Sequence, residues 1–210
     1  MKAPYYIFTL VLLFTWLSSS TSQDVKKVTR NYGFFKEVYS HVKPDTSIKE
    51  GSYRLFYKHQ LIEDGNYRNG KRIGQWQYYS FNNLLEYEYD FDSDSIVRIG
   101  SNNRIISSVR TPCFYKGSPL IPYLFMVDHV NYPEKAVDED ISGRIVLNLM
   151  IDKNGKVYGY YISEKLHPLI DKAVLKVASD LPDEWEFLSA TRNGAPIKSE
   201  YIIPLEFEID

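Results

Sequence analysis

Asp90, Asp92 and Asp94 stand at alternate positions, the arrangement with which calcium-binding loops begin, because carboxylate oxygens so spaced can converge on one hard cation. The match stops there. The sixth position of such a loop is Ser95, where the sharp turn needs glycine, and the twelfth is Ser101, where a bidentate glutamate should close the shell. The three aspartates therefore read as a solvated acidic turn. His41, His59, His129 and His167 are scattered without metal-ligand spacing and are expected at the surface or at caps. Cys113 is the single cysteine, so it forms no internal disulfide, and between Pro112 and Phe114 it suits a packed small hydrophobe rather than an activated thiolate. The Tyr and Trp residues between Tyr53 and Tyr89 could stack a ligand such as a sugar, but cross-strand aromatic packing is the plainer account and the one expected. No nucleophile, acid–base pair or metal set emerges, so the expectation is no catalytic residue, no metal and no cofactor.

The elements that must carry these residues can be read from their patterning. Gly143 opens a stretch in which Ile145, Leu147, Leu149 and Ile151 fall at every second position, with Arg144 and Asn148 on the other side, which is a half-buried strand. Asn154 and Gly155 are expected to supply the two positive-φ residues of a type I′ turn, after which Val157, Gly159 and Tyr161 resume the alternation. Pro168 suits the first turn of a helix whose apolar stripe runs from Leu169 through Ile170, Val174, Val177 and Ala178 to Leu181, and Pro182 stops it. A loop with Asn193-Gly194 leads to a last strand from Tyr201 to Ile209. The predicted fold class is α+β, ending in a ββαβ module with a small antiparallel sheet and one helix.

Tyr132-Pro133, Ala136, Gly143, Ile151-Asp152, Gly155, Leu169 with Asp171 and Ala173, Trp185, Asn193-Gly194, Pro196, Tyr201 and Pro204 with Phe207 occur in an order that resembles the C-terminal domain of the TonB energy transducers, over about a third of the chain. The resemblance implies binding of a partner's extended segment by strand addition, the partner being an envelope protein such as an outer-membrane receptor or its peptide. On that reading the receiving strand carries Tyr201, Ile203, Pro204, Glu206 and Glu208. An independent argument places it at an edge, since Pro204 has no N–H for a ladder. An edge can accept a strand or simply be blunted by its proline, and both readings stand. Transducers also need a long stiff segment to cross the periplasm, whereas between Gln23 and Tyr132 this chain has only Pro44 and the cluster at Pro112, so transduction itself is not implied.

Upstream, Gly51, Tyr53, Phe56, Leu61 and Glu63 are matched 23 positions later by Gly74, Trp76, Tyr79, Leu84 and Glu86, with a degenerate copy over Tyr32 to Tyr39. Each unit reads as a hairpin, Asn69-Gly70 being one turn, and with Gly65, Tyr67, Lys71-Arg72 and Trp76 the pattern resembles MORN-like repeats. Two hairpins are marginal alone, so packing against neighbours is expected. Pro112, Gly117, Pro119 and Pro122 mark the boundary. The resulting division is a leader over 1–22, hairpin repeats over 24–105, a linker over 106–131 and the TonB-like domain over 132–210.

Lys2, the apolar run Pro4 to Leu17 and small polar residues up to Ser22 have the layout of a secretory signal peptide. The run is shorter than the roughly 20 residues of a spanning helix, so export with cleavage near Gln23 is expected, the alternative being an inner-membrane anchor through an uncleaved leader. The 210-residue chain is 44% hydrophobic with net charge −2, enough to bury a core and without bulk basic character for nucleic acid. The functional expectation is an exported, non-enzymatic, partner-binding protein of the periplasm or cell envelope. A glycan-binding module or an enzyme built on the aromatic repeats is the alternative.

Overall fold

Between residues 25 and 99 the side chains alternate in runs such as Tyr53-Arg54-Leu55 and Trp76-Gln77-Tyr78, a period of two that an antiparallel sheet with one covered face satisfies. The computed structural model, which describes residues 25–45, 47–100 and 110–209, shows that sheet. Its strands are β1 (Val25–Tyr32), β2 (Phe35–Val42), β3 (Lys49–Tyr57), β4 (Gln60–Arg68), β5 (Lys71–Tyr79), β6 (Leu85–Asp90) and β7 (Ser95–Ile99). They lie in chain order, each antiparallel to the next. Asn69 and Gly70 take φ of 49° and 74°, as the type I′ turn between β4 and β5 requires. The expected leader lies outside the described residues.

One face of this sheet is a buried aromatic stack that includes Tyr39, Tyr53, Trp76, Tyr78, Tyr87 and Tyr89. The other is polar, with Arg54 facing Asp64 at 3.4 Å and Gln77 donating to Glu88 at 2.6 Å. The 23-residue offset holds from β3 to β5: Gly51 and Gly74 both take positive φ, and Tyr53 and Trp76 share the buried face. It does not hold from β4 to β6. Leu55 pairs with Glu63 but Tyr78 with Tyr87, and Tyr53 pairs with Gly65 but Trp76 with Tyr89, so the structural offset there is 24. The counterpart of Glu63 is Tyr87 rather than Glu86, and Leu85 is buried where Leu84 is 53% exposed. The extra residue sits in the β5–β6 connection, where Asn82 and Asn83 absorb it in left-handed conformations.

Glu63 is thereby placed in the apolar face. Its Oε1 accepts the Ser118 backbone N–H at 2.9 Å, and Arg72 lies 3.9 Å from its other oxygen. Arg72 also donates to the Lys116 carbonyl at 3.2 Å, Tyr87 to the Tyr115 carbonyl at 2.5 Å, and Ser118 Oγ to the Tyr79 carbonyl at 2.7 Å. Together these bonds latch residues 115–118 onto the sheet. Burial pushes the Glu63 carboxyl above the ordinary carboxylate range, against the pull of Arg72 and of the Ser118 N–H. The folded state thus holds this proton more tightly than the unfolded chain. Its contribution is fully present below the unfolded glutamate value, about pH 4, and is lost as pH rises through the higher folded value. Glu63→Gln, which keeps an acceptor for Ser118, is expected to flatten the fall in melting temperature above about pH 4; an unchanged slope would assign the dependence to other groups.

The stretch 106–131, expected as a linker, instead carries packed structure where it is described: β8 (Arg110–Thr111), β9 (Phe114–Tyr115) and α1 (Leu120–His129). Leu120 belongs to the core of the seven-stranded sheet and Met126 to the second core, so α1 bridges the two. Closely spaced prolines end regular pairing here without preventing burial, and Pro122 is itself buried in α1.

The C-terminal part follows as α2 (Glu134–Asp138), β10 (Gly143–Ile151), β11 (Val157–Glu164), α3 (Pro168–Ala178), the two-residue strands β12 (Phe187–Leu188), β13 (Thr191–Arg192) and β14 (Ala195–Pro196), and β15 (Ser199–Phe207). The sheet order β11-β10-β15 with α3 across one face is the expected ββαβ module. Ile145, Leu147, Leu149 and Ile151 are fully buried against Ile170 and Val174 of α3. His167 caps α3 and Pro168 starts it; the helix ends at Ala178, short of Leu181.

Two local expectations are corrected. Of Asn154 and Gly155 only Gly155 is left-handed, at φ 77°, so the turn is not type I′. Asp152 Oδ1 accepts the N–H groups of Asn154 at 2.8 Å and Lys156 at 2.9 Å, which favours a three-residue loop ending in a left-handed glycine. A Cβ on Gly155 would also lie 1.9 Å from the Phe187 carbonyl oxygen. In β11 a bulge between Val157 and Gly159 shifts the register, so Val157 shares its face with Tyr160 and Ile162 rather than with Gly159 and Tyr161. Tyr161 instead donates to Glu200 at 2.9 Å, beside the buried Asn148, which was expected to face solvent.

Candidate functional site

β15 is built by alternation. Ile203 and Leu205 are buried in the core beneath α3, Tyr201 packs against it, and Ile202, Pro204 and Glu206 are exposed on the opposite face. Among the described residues β15 pairs only with β10, in an unbroken register from Gly143↔Phe207 to Ile151↔Ser199. The register passes through Val146↔Pro204 without a shift. A residue with no N–H keeps such a ladder whole when its backbone N points away from β10, and with the alternation of two the N–H groups of Ile202 and Glu206 then point to the free edge as well.

The five residues expected at this edge therefore separate. Pro204 and Glu206 stand on the exposed side, Tyr201 and Ile203 face the core, and Glu208 lies beyond the strand's end. Ile202, 57% exposed, was not among them; an apolar residue on the polar side of an alternating strand was the available signal. The groove beside the edge, about 400 Å³, is lined across from β15 by Phe81, Glu86, Leu120 and Tyr123. The Phe81 and Tyr123 rings meet edge to face at 5.8 Å. Nothing in the order of residues pointed to Phe81, since it reaches the groove through the β5–β6 connection of the other sheet.

The remaining candidates are held in structural roles. Asp90 Oδ1 accepts the Asp92 N–H at 2.9 Å, and Asp94 accepts the Tyr89 hydroxyl, so both cap the β6–β7 turn; Ser101 lies outside the described residues. No group of three or more metal-ligating side chains occurs among the described residues. His129 stacks on Phe125 at 4.1 Å, His167 Nδ1 accepts the Leu169 N–H at 3.3 Å and His59 is exposed, whereas His41 is buried in β2 and not at the surface or a cap as expected. Burial pushes the Cys113 thiol up to about 11, which disfavours the thiolate. A larger cleft of about 610 Å³ between the β6–β7 turn and the β10–β11 loop holds one carboxylate, Asp94, with Lys116 and Lys153. The aromatic stack leaves no face free for a sugar on Trp76, Tyr78 or Tyr87, each at most 1% exposed.

The small β11-β10-β15 sheet, the helix that covers it and the unpaired edge of β15 together form the candidate site. Residues 128–209 match the family model of the Gram-negative bacterial TonB protein C-terminal. No curated protein and no solved structure matches the chain. The TonB match covers α2, β10, β11, α3 and β15, and leaves the seven-stranded sheet outside it. Domains of the TonB C-terminal family belong to the bacterial cell envelope and interact with envelope proteins such as outer-membrane receptors. Among the described residues no helix is long and apolar enough to cross a membrane.

Proposed function

We propose that this is an exported, non-enzymatic cell-envelope protein whose TonB-like domain binds an extended segment of another envelope protein by strand addition along β15. The observation that carries the reading is the open edge itself: β15 pairs only with β10 among the described residues and runs beside a groove. Main-chain bonds to the edge supply affinity and pockets for alternate side chains supply selectivity. The leader-like run Pro4 to Leu17 supports a periplasmic location. The offset repeat and the Asn69-Gly70 turn support reading the N-terminal sheet as MORN-like, a rigid platform joined to the binding domain through α1 and the 115–118 latch.

The test uses the full chain as bait in envelope extracts. Glu206→Pro removes an outward-facing N–H and is expected to abolish capture of the partner identified with the wild type, while Glu206→Val, which keeps the N–H, is expected to retain it. Circular dichroism must first show both variants folded. Equal capture by a folded Glu206→Pro chain would sink edge recognition and leave the proline as a device that blunts the edge.

A further inference from the structure

Resting on the strand-addition reading, we propose that the occupant of the β15 groove is an extended segment that alternates apolar with basic side chains, and that the N-terminal sheet helps to select it. The groove has two walls of different origin. One is β15 with Ile202 and Pro204; the other is the β5–β6 connection and the start of α1, with Phe81, Leu120 and Tyr123. Phe81 is 43% exposed and Ile202 57%, so both present apolar surface to whatever lies between them. A strand added to β15 directs alternate side chains to the two sides of the extended sheet, and one set meets Phe81 and Tyr123. That set is apolar.

The carboxylates, one on each wall, set the charge of the side chains that do not meet the rings. The two ionisable carboxylates lining the groove are Glu86, from β6, and Glu206, from β15, and no lysine or arginine lines it. Glu86 makes no ion pair with the described residues, and Glu206 has only the exposed Arg144 at 4.0 Å. Glu200 on the same strand and Glu208 just past its end add negative charge, and residues 199–209 contain no Lys or Arg. An acidic peptide would bring like charges together in a partly desolvated groove, whereas lysine or arginine side chains would meet complementary potential. The wall contributed by Phe81 and Glu86 belongs to the sheet outside the TonB-like domain, so selectivity here is a property of the two parts together.

Three labelled synthetic decapeptides test this, identical in alternating Val and Thr except for Lys, Gln or Glu at the same two Thr positions, with affinity read by fluorescence anisotropy on the full chain. The Lys peptide is expected to bind about 10-fold more tightly than the Glu peptide at low salt, the gap narrowing at about 0.5 M salt as charges are screened. Glu86→Lys should reverse the preference, and Phe81→Ala should weaken all three peptides about 10-fold. Equal affinities, or a Phe81→Ala chain that binds as wild type while Glu206→Pro abolishes binding, would overturn the groove's part and leave edge pairing standing. Failure of all three peptides to bind would overturn strand addition and this inference with it.

Discussion

Replacing Val174 with aspartate should lower the melting temperature by about 8 to 16 °C, corresponding to a loss of about 4 kcal/mol in a chain of this size. Val174 is fully buried in the middle of α3, on the same apolar side as Ile170 and Ala178, and rests on the sheet of Ile145, Leu147 and Leu149. It shares its cluster with Ile145, Leu147, Leu149 and Ile170, so a carboxylate placed there must either ionise in apolar surroundings or take up a proton at a cost. Val174→Ala, which leaves a void without a charge, should cost less. A shift within about 2 °C for the aspartate variant would show that α3 does not cover the sheet by this face.

That face was legible because helix and strand periods announce it directly: one apolar stripe at helical spacing and three runs at alternate spacing leave one way to close a small core. What was not legible were the places where one residue is gained. The bulge in β11 and the extra residue between β5 and β6 each leave composition unchanged while turning side chains to the other face, so Tyr161 and Glu86 were assigned to the wrong neighbours. The Asn154-Gly155 turn failed for a related reason, because Asp152 holds the loop through two backbone bonds that a dipeptide rule does not weigh. At the candidate site Pro204 declared an edge, since a missing N–H is a local fact. The wall opposite it did not declare itself, because Phe81 and β15 are more than a hundred residues apart and meet only through the packing of α1 between two cores.

The same packing makes a prediction about cooperativity, for which Trp76 is the probe. Its indole is fully buried, lies against the rings of Tyr53 at 5.3 Å, Tyr67 at 5.2 Å and Phe91 at 5.8 Å, and donates to the Asn66 carbonyl at 3.2 Å. Arg72 sits 4.6 Å over it, and Gly65 leaves the room it fills, since a Cβ there would come within 2.2 Å of the indole. Trp76→Ala should therefore cost about 3–5 kcal/mol, because neighbours in a rigid stack relax only partly into the space. It should also loosen Arg72, which holds the 115–118 segment through the Lys116 carbonyl and Glu63. If the latch and α1 bind the two cores into one unfolding unit, hydrogen exchange in the variant will speed up at β10 as well as at β5. Faster exchange confined to β1 through β7, with β10 as protected as in wild type, would show that the seven-stranded sheet opens without the TonB-like domain, and that the platform steers its partner while folding apart from it.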